Sequence, residues 1–287
     1  MKKYVLKLAY DGAKYAGWQR QPHALGVAQV VEKALATLTK TTVKLVGAGR
    51  TDAGVHARAQ IAHWEMPYSI ELPFLRHLNA LLPGDIQALS LYEAAESFHA
   101  RHSAISRTYR YFIRWVPNPF RRAYSFPLSA PPALPLLNQA ASLLIGSYDF
   151  SAFTKGLEDQ PNRECRVYSA RWEMEEEGFA FFEITANRFL RAMVRALVGA
   201  QLRLAQGKLS WEAFKAALYE KDRRWGMYLA APQGLFLWAV EYPPQSLYLL
   251  ESYALFPPHS GPAADPATES KADSARTPSG DSRRRDG

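Results

Sequence analysis

The stretch Gly47-Ala-Gly-Arg-Thr-Asp-Ala-Gly-Val-His56 concentrates residue types that can do chemistry. Three glycines within eight residues, Gly47, Gly49 and Gly54, break any regular helix or strand and permit close approach to the backbone. Between them stand a cation, Arg50, and a carboxylate, Asp52. A tight loop that presents a carboxylate suits a nucleophile or a general base. A turn closed by the Asp52 side chain is the purely structural alternative. Gly47-x-Gly49 opens like a dinucleotide-binding fingerprint, but Asp52 occupies the third glycine position, where a carboxylate would repel a pyrophosphate. The Gly-Lys-Ser/Thr ending of a P-loop is also missing.

Two other segments carry groups that could meet this carboxylate. In Arg107-Thr-Tyr-Arg-Tyr111, strand alternation puts Tyr109, Tyr111, Ile113 and Trp115 on one face and Arg110, Phe112 and Arg114 on the other. Tyr111 and Trp115 suit a sheet core. Tyr109, at the strand's start, is placed to meet a nucleobase, and aromatics interleaved with arginines suit RNA. The stretch 188–206 reads as a helix that is apolar almost all round, with Arg188, Arg191 and Arg195 as its narrow charged stripe. A buried arginine is costly unless it meets an anion, a phosphate or a carboxylate, and Asp52 is the candidate for Arg195. The loop Asp11–Gln21 either touches RNA or closes the end of the sheet. His99 and His102 lack a Cys or acidic partner at metal-binding spacing, so no metal site is expected.

The elements that must position these groups follow from periodicity. Strands are expected over 3–10, 43–47, 58–66 and 86–94, with helices over 27–39 and 72–82. A second run follows, with strands over 105–116, 164–175, 179–186 and 234–242 and helices over 134–146, 188–206 and 211–219. Two successive β-α-β-β-α-β units predict an α+β fold of two ferredoxin-like halves, 1–103 and 104–246, joined through their sheets around a central cleft that holds the glycine loop.

Composition narrows the setting. A chain of 287 residues, 48% hydrophobic, can bury a sizeable core. No apolar run approaches 18 residues, so no membrane span is expected. Lys7 and Asp11 interrupt the N-terminal apolar stretch too early for a signal peptide. The single cysteine, Cys165, excludes an internal disulfide and fits a reducing compartment, so the cytoplasm is the expected location. Residues 257–287 hold five basic and five acidic side chains and no large apolar one, and are expected to be a disordered tail. The net charge of +8 therefore sits on the folded body, which suits a polyanionic partner.

Gly49-Arg-Thr-Asp-Ala-Gly-Val-His56, Arg107-Thr-Tyr-Arg-Tyr111, Tyr148-Asp-Phe-Ser-Ala-Phe153 and Asn187-Arg-Phe-Leu-Arg-Ala-Met-Val-Arg195 together resemble the TruA-type tRNA pseudouridine synthases. Tyr10-Asp-Gly-Ala-Lys-Tyr-Ala-Gly-Trp-Gln-Arg20 and Pro232-Gln-Gly-Leu-Phe-Leu237 are similar to the same family's pattern, and the likeness spans residues from about 3 to 243. Ala196 departs from it, since an Asn is usual there, and the tail matches nothing in it. The resemblance implies the pseudouridine synthase fold and an isomerase that converts uridine to pseudouridine at positions 38, 39 and 40 of the tRNA anticodon arm, without cofactor or metal. It implies a homodimer with one tRNA crossing both subunits. It also implies Asp52 as nucleophile, Arg195 paired with it, Tyr109 stacked on the target base, and Arg50 holding the nucleotide out of the helix. The rival reading is a non-catalytic RNA-binding module, which needs no carboxylate in a glycine loop and whose RRM signature is absent.

Overall fold

Period-two alternation makes the first strand: in β1 (Lys2–Tyr10) the side chains of Tyr4, Leu6, Leu8 and Tyr10 are all buried. The computed structural model describes residues 1–156 and 162–253, so the tail 257–287 lies outside the described residues. After β1 come α1 (Val27–Thr39), β2 (Val46–Gly47), β3 (His56–Met66), α2 (Phe74–Leu81) and β4 (Ile86–Ala94). Then follow β5 (Ser106–Arg114), β6 (Phe126–Pro127), α3 (Leu134–Ser142), β7 (Gly146–Asp149), β8 (Glu164–Glu176) and β9 (Phe179–Ala186). The chain closes with α4 (Met193–Ala205), α5 (Trp211–Tyr219), α6 (Arg223–Gly226), β10 (Leu235–Glu241) and β11 (Leu247–Ser252).

These strands make one large sheet in the order β11-β4-β1-β3-β10-β5-β9-β8-β7, with β2 on β3 and β6 on β5. Its ladders are antiparallel except β10 with β3 and β5 with β6, so the fold is mixed α+β. The β3–β10 ladder is short, pairing Phe236 with His56 and Leu237 with Ala57. It is where strands from the start of the chain meet those that follow residue 106, and the glycine loop enters β3 at this seam. The main core lies on the helix-covered face, where Val31 and Leu35 of α1 and Met193, Leu197 and Ala200 of α4 are fully buried. A smaller cluster of Val5, Ile61, Ala94 and Phe98 packs apart from it.

The strand expected over 43–47 is reduced to Val46–Gly47, and three further elements differ from the periodicity reading through a distant partner. The helix expected over 188–206 begins at Met193. Ala192 is left-handed, with φ 62°. The Arg191 carbonyl, which a continuous helix would offer to residue 195, accepts instead from the Lys155 N–H at 3.1 Å and Thr154 Oγ1 at 3.1 Å. Arg188 and Arg191 therefore precede the helix rather than line it, and only Arg195 belongs to α4. The helix expected over 134–146 ends at Ser142, because Gly146–Asp149 pair with β8. Finally, Leu247–Ser252 form an edge strand on β4 that alternation did not announce. Its Glu251 Oε2 accepts from the Phe74 and Leu75 N–H groups at 2.8 and 3.0 Å, capping α2 from outside that helix.

Candidate active site

The glycine loop is held from below by backbone and side chain alike. Ala48 N–H donates to the Ile61 carbonyl at 2.7 Å, and Gln60 Nε2 donates to the Gly49 carbonyl at 2.9 Å. Thr51, itself buried, shares a 2.8 Å hydrogen bond with the Tyr10 hydroxyl. The loop Asp11–Gln21 lies directly against it: Trp18 N–H donates to the Thr51 carbonyl and Gly54 N–H to the Tyr15 carbonyl, both at 3.2 Å. Gly17, at φ +94°, is required there, because a Cβ would lie 2.3 Å from the Thr51 oxygen. Of the two readings of this loop, closure of the sheet's end is the one these contacts describe. At the loop's far end His56 Nδ1 stands 2.9 Å from Asp11 Oδ1 and 3.1 Å from Gly12 N, and its ring stacks on Phe236 at 4.6 Å. The loop is thereby tied to the β3–β10 seam.

Held this way, the loop needs no help from the Asp52 carboxylate. Its turn is closed by the Val55 N–H donating to the Asp52 carbonyl at 3.1 Å. The carboxylate meets Arg195 instead, with Nη1 at 3.2 Å from Oδ2. The two side chains, Asp52 and Arg195, are 27% and 17% exposed, so the pair is partly buried. Arg195 Nε donates to the Ala230 carbonyl at 2.8 Å, and the Ala230 N–H donates back to the Arg195 carbonyl at 3.0 Å. This reciprocal pair of bonds orients the guanidinium before any substrate arrives. Close approach of residues 228–230 to α4 depends on Gly199, where a Cβ would lie 1.6 Å from the Tyr228 carbonyl oxygen.

Tyr109 lies beside the same loop. A Cβ on Gly49 would stand 4.0 Å from its hydroxyl, and its ring meets Phe189 edge-on at 5.1 Å. Burial, reinforced by the Asp52 charge, pushes its phenol well above the ordinary tyrosine range, so Tyr109 is a neutral O–H donor. Arg50 is exposed, two residues from Asp52. The structure thus gathers Asp52, Arg195 and Tyr109, while Arg50 faces solvent next to them. Among the described residues no group of three His, Cys, Asp or Glu side chains is arranged to hold a metal.

Several contributors escaped sequence reasoning. Tyr10, Gln60 and Ala230 support the loop or Arg195 through single bonds that no spacing encodes. Arg107 was legible only as part of a segment, although an arginine on a core-facing strand position is itself a signal.

A family model described as tRNA pseudouridine synthase matches residues 140–243. The protein named tRNA pseudouridine synthase A from Bacteroides fragilis is 39% identical over 246 residues, covering 85% of this chain and 97% of that protein. Its namesake from Chlorobium chlorochromatii is 39% identical over 244 residues, 84% of this chain and 100% of its own. The one from Chlorobium luteolum is 41% identical over 245 residues, 85% and 96% respectively. Among solved structures, a chain of a Cbf5-Nop10-Gar1 complex matches 70% of this chain and 54% of its own, at 9% identity and a TM-score of 0.32, too distant to carry any inference. The relatives are similar along nearly their whole length, and on that ground the chain belongs to the tRNA pseudouridine synthase A family.

Proposed function

We propose that this chain isomerises uridine to pseudouridine at positions 38, 39 and 40 of the tRNA anticodon stem-loop, with Asp52 as nucleophile and without cofactor or metal. Membership of the family makes it an isomerase acting on tRNA uridines. The observation that carries the residue assignment is the Asp52–Arg195 pair at 3.2 Å, formed across 143 residues in a loop that is already anchored without it. A carboxylate so held is available for chemistry rather than for holding the fold.

The reaction breaks the C1′–N1 bond, turns the uracil and joins its C5 to C1′, with the C5 proton leaving. Breaking the glycosidic bond develops oxocarbenium-like charge on the ribose, which a carboxylate can capture or stabilise. Asp52 can serve by attack at C1′, by attack at C6 or by assisting loss of a ribose proton, and each route needs the same fixed carboxylate. No second carboxylate is required to deliver water. Instead the site must retain the detached base, and Tyr109, buried beside the loop, is the residue assigned to stack on it. Arg50, exposed at the loop, helps hold the nucleotide out of the helix. Flipping costs a few kcal/mol, which phosphate contacts from the basic body offset.

The same reading places the Asp52 loop between two ferredoxin-like halves and puts the enzyme in the cytoplasm; among the described residues no helix is long and apolar enough to cross a membrane. It includes a homodimer with one tRNA across both subunits. Partly buried Phe112, Phe236 and Trp238, with Arg110 stacked 4.2 Å from Trp238 and 4.5 Å from Phe181, give an aromatic surface suited to a second copy. The test is incubation with unmodified tRNA transcripts, followed by mapping of pseudouridine at each nucleotide. The wild type is expected to modify positions 38–40. Asp52→Asn is expected to form none while binding tRNA within about twofold of wild type, since affinity comes from phosphates. Turnover by purified Asp52→Asn would remove the carboxylate from the mechanism.

A further inference from the structure

Arg107 is the second residue of β5, two before Tyr109, and only 8% of it is exposed. Burying a cation without a counter-ion is expensive. Among the described residues no carboxylate forms an ion pair with Arg107. Its guanidinium is satisfied by main-chain carbonyls alone. Nη1 donates to Asn187 at 2.7 Å and to Ala104 at 3.1 Å, and Nη2 donates to Ala48 at 3.1 Å and to Arg101. Burial pushes its pKa down from the ordinary arginine value.

The location of these carbonyls is the informative part. Ala48 begins the loop that carries Asp52. Asn187 begins the segment that runs through the left-handed Ala192 into α4 and Arg195. One planar group therefore grips the roots of both segments whose tips form the Asp52–Arg195 pair, and it does so from the strand that carries Tyr109. We propose that Arg107 is a positioning residue for the isomerisation, setting the separation and angle between Asp52 and Arg195. This inference rests on the function proposed above.

A guanidinium is suited to this and an ammonium is not. Its two terminal nitrogens are fixed in one plane and serve different pairs of carbonyls, whereas lysine brings a single nitrogen that cannot reach both sides. Arg107→Lys keeps the charge and the apolar stem but releases at least one segment. A displacement near 1 Å at a reacting pair costs on the order of 10²-fold in rate.

The experiment uses the full chain with Arg107→Lys and, as a neutral companion, Arg107→Gln. Saturated rate and KM are measured on unmodified tRNA at a temperature where melting curves show each protein folded. Arg107→Lys is expected to lower the saturated rate roughly 10- to 100-fold with KM within about twofold. The decisive readout is combination with Arg195→Lys. If Arg107 acts through the pair, its effect on that background shrinks to within about threefold, because residues acting as one unit are not additive. Full rate in folded Arg107→Lys would overturn the proposal. So would losses that multiply completely, or failure of both variants to fold, since each assigns Arg107 to stability alone. A wild type that forms no pseudouridine would instead defeat the proposed function, and this inference with it.

Discussion

Replacing Arg195 by Met tests the central contact, since Met keeps the apolar stem and removes the charge and both hydrogen bonds. Two unit charges 3.2 Å apart interact by about 5 kcal/mol at an effective dielectric near 20. Partial exposure of both side chains screens this, and removing one partner of such a pair costs about 2–4 kcal/mol. Expressed as rate, that is a loss of roughly 30- to 1,000-fold at saturating tRNA. Arg195→Lys should fall between, because an ammonium cannot hold the Ala230 carbonyl and Asp52 in the same fork. Turnover can be counted with tRNA transcripts tritiated at uridine C5, because joining C5 to C1′ expels that hydrogen. The same variants are titrated with tRNA over a range of salt. With Arg195 facing Asp52, affinity and its salt slope stay near wild type while the saturated rate collapses. A saturated rate within about threefold of wild type, with the salt slope shallower by about one unit, would show that Arg195 meets a phosphate and would refute the ion pair.

Gly199→Ala should both destabilise and slow the enzyme. Its Cβ would lie 1.6 Å from the Tyr228 oxygen, so residues 228–230 must move and carry the Ala230 carbonyl away from Arg195. A cost of about 3 kcal/mol, or a fall of about 6–12 °C in Tm, is expected by thermal melting; an unchanged Tm would mean that the segment yields freely. Acid sensitivity should trace partly to His63, which burial, then His99 and Lys3, push down from 6.5 to about 4. Below pH 6.5 the unfolded chain takes up the proton first, so His63 favours the folded state above that pH and this preference is lost as pH falls towards 4. The loss is at most about 3 kcal/mol. Urea titrations at neutral pH and near pH 4.5 should show a smaller difference for His63→Gln than for wild type, and equal differences would clear His63.

Patterns that depend on neighbours in the chain are legible in the amino-acid sequence itself. The stripe of Val27, Val31, Ala34 and Leu35 marks α1 with its observed bounds, because residues three and four apart share a helix face whatever surrounds them. Alternation marks β1, where Tyr4, Leu6, Leu8 and Tyr10 share the buried face. The spacing of Gly47, Gly49 and Gly54 around Asp52 marks a loop that presents a carboxylate, and the burial cost of an arginine suggests its partner. Decisions made by distant atoms are not legible there. Helix α4 starts at Met193 because Thr154 and Lys155 claim the Arg191 carbonyl, and nothing between residues 187 and 206 states this. Leu247–Ser252 is a strand because β4 offers an unpaired edge. Gly199 is indispensable only once Tyr228 lies against it, and Arg107 ties two segments only once β3 and β10 have brought them together. Local periodicity sets which elements form, but a hydrogen bond between residues far apart in sequence depends on the packing of everything between them, and that packing exists only in the folded chain.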